Sequence, residues 1–76
     1  MLKIETTTSS NPWYQSEPLP SKISAKEAIK KGRALWNLAL FESVTVLQQE
    51  LFPDGPDWVA IAYWDKHGTS FNIKEQ

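Results

Sequence analysis

Few side chains in this sequence of 76 residues could carry out chemistry. There is no cysteine, which excludes disulfides, thiolate metal sites and a cysteine nucleophile. His67 is the only histidine and therefore the only conventional general base. It follows Asp65 and Lys66 and precedes Gly68, a pattern typical of an exposed turn. The sequence therefore predicts a protein that is not an enzyme.

Glu50, Asp54 and Asp57 are close together in the sequence and could attract a hard cation. The spacing of a metal-binding loop is missing, and Pro53 and Gly55 explain the stretch as a turn. The three glycines of the chain are scattered, so there is no glycine-rich phosphate loop. We expect neither a metal nor another cofactor.

Charge is unevenly distributed along the chain. Residues 21–36 hold five bases and one acid, whereas residues 37–57 hold four acids and no base. Bases spaced three and four residues apart share one side of a helix and could contact phosphate, although a solvated lysine-rich face is an alternative. The net charge of −1 and a pI of about 5.7 argue against bulk binding to nucleic acid or membrane. The candidate anion or nucleic-acid contacts are Lys26, Lys30, Lys31 and Arg33.

A proline- and serine-rich loop is predicted over residues 9–22. Trp13 and Tyr14 lie in its middle and are expected to anchor it, because a bare linker would not need two aromatic rings. Residues 11–14 also match the short Asn-Pro-x-Tyr turn that some peptide-binding domains recognise. A local turn with packed aromatic side chains is the favoured interpretation, since four residues often match by chance.

The remaining chain divides into three elements. Alternation of apolar and polar residues over 1–8 predicts a strand at a sheet edge. A capping box at Ser24 and Glu27 begins a helix predicted over 23–52, and Pro53 ends it. A break of this helix at the β-branched residues 44–46 is the alternative. A β-hairpin is predicted over 57–76.

These elements predict an α+β fold of order β-α-β-β, in which one long helix packs on a small, mainly antiparallel sheet in a single small domain over 1–76. A four-residue turn over 65–68 sets the hairpin register. That register pairs Ala60 with Ile73, Ala62 with Phe71 and Trp64 with Thr69 on the face toward the helix, and places Val59, Ile61 and Tyr63 on a half-apolar outer face.

The predicted helix is apolar nearly all round from residue 34 to residue 47, whereas one small sheet covers only one side. The Trp13/Tyr14 loop, a second copy or another protein must cover the remainder. Two such helices packed antiparallel would place the basic half of one beside the acidic half of the other, which favours a homodimer. The predicted self-association or partner contacts are Leu38, Phe41, Phe52, Val59, Ile61 and Tyr63.

The chain has no apolar run near the roughly 18 residues of a membrane span and no leader-like N-terminus. We therefore expect a cytoplasmic, non-enzymatic interaction protein, a homodimer that binds another macromolecule as an adaptor, inhibitor or antitoxin does. The alternative is a nucleic-acid-binding module that uses the basic N-terminal half of the helix.

Overall fold

The protein is a helix laid across one face of an antiparallel sheet, in a computed structural model that describes residues 1–10, 15–20, 22–68 and 70–72. This arrangement confirms the predicted α+β class. Within the described ranges no helix is long and apolar enough to cross a lipid bilayer. The strands are β1 (Leu2–Thr7), β2 (Gln15–Pro18), β3 (Ser43–Phe52), β4 (Gly55–Asp65) and β5 (Ser70–Asn72), and the helix is α1 (Ala25–Asn37). Their order in the sheet is β2-β1-β3-β4-β5.

The helix begins where the sequence predicts and ends much earlier. Ser24 is the N-cap, and its Oγ accepts a hydrogen bond from the backbone N–H of Glu27 at 3.1 Å. The helix stops at Asn37 because Ala39 takes a left-handed backbone conformation with φ of 59°. The prediction of one helix over 23–52 is therefore wrong. Residues 44–46 are β-branched and prefer the pleated surface of a strand, where they form the centre of β3.

The N-terminal strand lies inside the sheet and not at its edge. It pairs antiparallel with β3 on one side and with β2 on the other. β2 comes from the segment that the sequence predicts as loop, and it is short, exposed and ends at Pro18. Proline is tolerated at an edge strand, where no neighbouring strand needs its missing N–H. The prolines of residues 9–22 are therefore compatible with an edge strand in this segment.

The core lies between α1 and three central strands. Leu2 and Ile4 of β1 and Val44 and Val46 of β3 point to the helix side, where they meet Ile29 and Ala28. The β3–β4 register shifts between Val46 and Leu47, which leaves one extra residue in β4. Consequently Ile61 and Ala62 are both buried in this core.

Gly32 lets α1 approach the sheet closely. A Cβ added to it would lie 2.5 Å from Val46 Cγ2 and 3.0 Å from Trp64 Cζ3. Distances this short leave no room for a side chain. The helix therefore presents a glycine where it crosses β3 and β4.

The β4–β5 hairpin has the predicted left-handed Gly68, with φ of 83°, but a different register. Trp64 pairs with Ser70, one residue beyond the predicted partner, and Phe71 pairs with Tyr63, not with Ala62. Asp65 remains in β4, and its Oδ1 accepts a hydrogen bond from the N–H of His67 at 3.0 Å. Five residues, and not the predicted four, separate Trp64 from its partner. The predicted partners Thr69 and Ile73 lie outside the described residues.

Candidate interaction surface

The face of the sheet opposite α1 is covered by no other element of the described chain. Because side chains alternate along each strand, residues between the core positions all point to this face. Antiparallel sheets often leave one face in contact with solvent in this way. We call it the open sheet face, and its central residues are Lys3, Glu5, Thr45, Leu47, Trp58, Ala60 and Tyr63.

Lys3 is held at one end of the open sheet face by two contacts. Its Nζ lies 4.2 Å from the centroid of the Trp58 ring and 3.4 Å from Glu5 Oε2. The two charged side chains are only 19% and 22% exposed, so strand neighbours limit their motion. A cation over an indole ring is the strongest type of cation–π pair. The Lys3 ammonium group therefore packs against the Trp58 ring on this face.

The polar groups at the other end are paired with one another. Tyr63 Oη donates to Asp65 Oδ2 at 2.9 Å, and Thr7 and Ser43 share a hydrogen bond of 2.7 Å between their hydroxyl oxygens. Thr45 sits between these pairs and is only 9% exposed. Burying paired groups costs less than burying unpaired ones. This face can therefore lose its water without leaving these groups unsatisfied.

The two predicted aromatic loop anchors, Trp13 and Tyr14, lie outside the described residues. Two predicted contacts are at the surface: Leu38, the C-cap of α1, is 58% exposed, and Phe52 is 42% exposed. Phe41 packs against the core cluster. Leu38 and Phe52 thus remain available to a partner, whereas Phe41 is used largely within the domain.

The predicted outer face of Val59, Ile61 and Tyr63 does not exist as one surface. Ile61 is 1% exposed and belongs to the core. Val59 pairs with Gln48, which points to the helix side, and only Tyr63 lies on the open sheet face. The bulge in β4 is the physical reason, because it reverses the alternation of side chains at Ile61.

Sequence reasoning missed most of the open sheet face. Alternation over residues 1–8 placed Lys3 and Glu5 together but did not reveal what lies beside them. The helix predicted over 23–52 contains Thr45 and Leu47, so their place in β3 is missed. The signal that could have found this face was the β-branched run at residues 44–46, which marks β3 as the strand next to β1.

The basic residues Lys26, Lys30, Lys31 and Arg33 are all exposed on α1. Within the part of the chain that the structure describes, Lys26, Lys30 and Lys31 make no ion pair, whereas Lys66 Nζ lies 2.8 Å from Glu42 Oε1. The acids of residues 42–57 follow α1 and lie mostly in β3, β4 and their turn. The antiparallel pairing of two long helices is therefore excluded, because the acidic half is not helical.

His67 is exposed in the β4–β5 turn, where its N–H is bonded to Asp65. The carboxylates of Glu50 and Asp57 belong to residues that face each other across β3 and β4. Among the described residues, no three histidine, cysteine, aspartate or glutamate side chains are grouped to hold a metal ion.

No known protein family matches this chain, and no curated protein or solved structure is significantly similar to it.

Proposed function

We propose that this protein is a non-enzymatic interaction module that binds another protein through the open sheet face. The observation that carries the proposal is the Trp58 ring packed beside Lys3, on the face that α1 does not cover and that also carries Tyr63. Tryptophan and tyrosine dominate the binding energy of protein interfaces, because they bury much area and lose little conformational freedom.

The chemistry of this face favours a protein over a polyanion. Lys3, at one end of this face, is already paired with the Glu5 carboxylate, so the two charges cancel. Leu47 and Ala60 pair across β3 and β4 and add apolar surface between Trp58 and Tyr63. Protein interfaces combine an apolar, aromatic centre with few net charges, whereas phosphate contacts require unpaired cations.

Nucleic acid is the competing partner, and it would bind elsewhere. α1 presents the exposed lysines Lys26 and Lys30, which are four residues apart on one side of the helix, and Lys31 next to them, and such cations can contact phosphate. We place the protein in the cytoplasm, together with its partner, and we infer no enzymatic activity.

The test compares three forms of the chain as baits in an extract of the host cell. They are the wild type, Trp58→Ala, and Leu40→Ala as a control, since Leu40 is an exposed leucine outside the open sheet face. Proteins retained by the wild type and the control but lost with Trp58→Ala are then purified, and their binding is measured by calorimetry. We expect Trp58→Ala to weaken binding by roughly 2 kcal/mol or more.

Equal capture by all three forms would contradict the proposal. The competing function is tested by gel shift with mixed-sequence DNA and RNA at low salt. A shift that disappears at higher salt and in Lys26→Gln/Lys30→Gln, while Trp58→Ala retains it, would assign nucleic-acid binding to α1 instead.

A further inference from the structure

The β3–β4 hairpin extends beyond the rest of the sheet. β1 pairs with β3 only as far as Leu2 and Gln48, and a last bond joins Gln49 N–H to the carbonyl oxygen of Met1. Residues 50–57 continue as a two-stranded ribbon with neither outer edge paired in the described chain, and we call them the arm. With about 3.3 Å per residue, the arm projects roughly 10 Å.

The arm exposes apolar side chains on both of its faces. Leu51 is 84% exposed and Phe52 is 42% exposed. Adjacent strand residues point to opposite faces, so Phe52 lies on the side of the sheet that carries α1 and Leu51 lies on the other. A two-stranded ribbon is marginally stable by itself, and exposed leucine and phenylalanine at its tip add nothing to its own fold. These side chains are therefore free to enter a partner.

The negative charge of the arm favours a basic partner. It contains three acids, Glu50, Asp54 and Asp57, and no base. Glu50 and Asp57 are directly opposite each other in the register. Like charges in that position repel, and a cation nearby would relieve the repulsion.

A groove of about 350 Å³ lies between α1 and the β1–β2 edge of the sheet. Its walls are mostly apolar and include Leu19, Ala34, Leu35 and Leu38. Lys31 and Glu17 are its charged lining residues. Lys31 belongs to the basic side of α1, so the apolar walls are bordered by its ammonium group on the helix side and by the Glu17 carboxylate on the β2 side.

We propose that the arm of one copy docks in this groove of a second copy. The tip of the arm supplies Phe52 and Leu51 to the apolar walls, and its carboxylates approach Lys31 and the neighbouring bases of α1. The arm continues the direction of β3 and β4 away from the sheet, so it does not fold back into the groove of its own chain. A reciprocal exchange, in which each copy places its arm in the groove of the other, closes a two-fold dimer.

This dimer brings together Leu38 and Phe52, which the sequence analysis proposed as self-association contacts, now on different copies. It uses a surface separate from the open sheet face. Loss of the dimer and loss of partner binding at Trp58 are therefore distinguishable results.

The test measures native mass by light scattering and sedimentation over a concentration series. Leu51→Ala/Phe52→Ala removes the apolar tip, and Ala34→Glu places an acid at the exposed groove wall, facing an acidic arm. Leu40→Ala is the matched control, because Leu40 is 68% exposed and lines neither arm nor groove. We expect dimers for the wild type and the control, and dissociation constants raised roughly tenfold to a hundredfold for the other two.

Mixing the arm variant with the groove variant gives the sharpest readout. Each homodimer lacks both contacts, whereas the mixed dimer keeps one intact arm in one intact groove. We expect the mixture to dimerise more tightly than either variant alone. Circular dichroism checks that each variant is folded, and a charge exchange serves if one is not: Lys31→Glu and Asp54→Lys each weaken the dimer, and together they restore it.

Three results would overturn the proposal. The wild type could remain a monomer up to about 1 mM, far above the range of a specific dimer, which would mean that the groove is filled by its own chain or left open. Dimers could persist unchanged in the arm and groove variants. Dimerisation could instead be abolished by Trp58→Ala, which would place the contact on the open sheet face.

Discussion

The Lys3 ammonium lies 4.2 Å from the centroid of the Trp58 ring, although their strands β1 and β4 are not neighbours in the sheet. β3 runs between them, so this contact passes over the sheet surface. It ties the first strand to the fourth on the face that α1 does not cover. The contact therefore links the stability of the domain to the residues proposed to bind a partner.

Replacing Lys3 by methionine keeps an apolar stem but removes the charge. We expect Lys3→Met to lower the free energy of unfolding by about 1 kcal/mol, because both the cation–π contact and the ion pair with Glu5 are lost. Urea denaturation followed by tryptophan fluorescence measures this change. The control is Lys22→Met, at an exposed lysine before α1, which should change stability by less than about 0.5 kcal/mol.

Gly32 should resist replacement by alanine. In an exposed helix, glycine to alanine normally stabilises by about 1 kcal/mol. Here the added Cβ would meet Val46 and Trp64 at non-bonded distances of 2.5 and 3.0 Å, so we expect the opposite sign. Overpacking of this kind costs about 1–3 kcal/mol.

Thermal and urea unfolding of the Gly32→Ala variant check this sign. The double variant Gly32→Ala/Val46→Ala is the decisive comparison, since removing the valine methyl groups makes room for the new Cβ. Its loss of stability should be smaller than the sum of the two single losses. Strict additivity would show that Gly32 is not limited by contact with Val46.

Replacing Ala39 by glycine should stabilise the protein. Its φ of 59° lies in the left-handed region, which glycine adopts freely and alanine does not. Relief of this conformation should raise the free energy of unfolding by about 1 kcal/mol. Part of this gain is offset because glycine also increases the conformational entropy of the unfolded chain. Melting temperature and urea midpoint should both increase. Ala34→Gly, in the regular part of α1, should lower them.

Glu50 should destabilise the isolated chain because Asp57 faces it across the arm. Glu50→Lys replaces two like charges by an opposite pair, and we expect a gain of about 0.5 kcal/mol in the free energy of unfolding at low salt. Asp54→Lys makes the same change of charge in the turn, where no acid faces it, and should give a smaller gain in the free energy of unfolding. Unfolding is measured below the concentration at which copies associate, and salt should reduce the gain.

The sequence was informative where one residue type determines the local geometry. Ser24 predicted the start of the helix, because its hydroxyl can accept from the N–H of residue 27. Gly68 predicted the left-handed position of the last turn. The α+β class followed from the presence of both periodicities in one short chain.

The end of the helix was not predictable in the same way. Its terminal left-handed residue is Ala39, which carries no glycine signal, and the apolar residues beyond it suit a helix and a strand equally. Because the sequence predicts a helix where β3 lies, it predicts neither the central position of β1 nor the residues beside Lys3. The bulge at Ile61 depends on how β4 fits against β3, which no local pattern encodes.

The central position of β1 has a consequence for how this chain acquires its structure. The second pairing partner of β1 is β3, which is separated from it by residues 8–42. Without β3, the pairing of β1 with β2 is a two-stranded arrangement of marginal stability, and α1 has no complete surface on which to bury Ile29. Fragments that stop before β3 should therefore remain unstructured, and folding should be a single cooperative event governed by distant contacts.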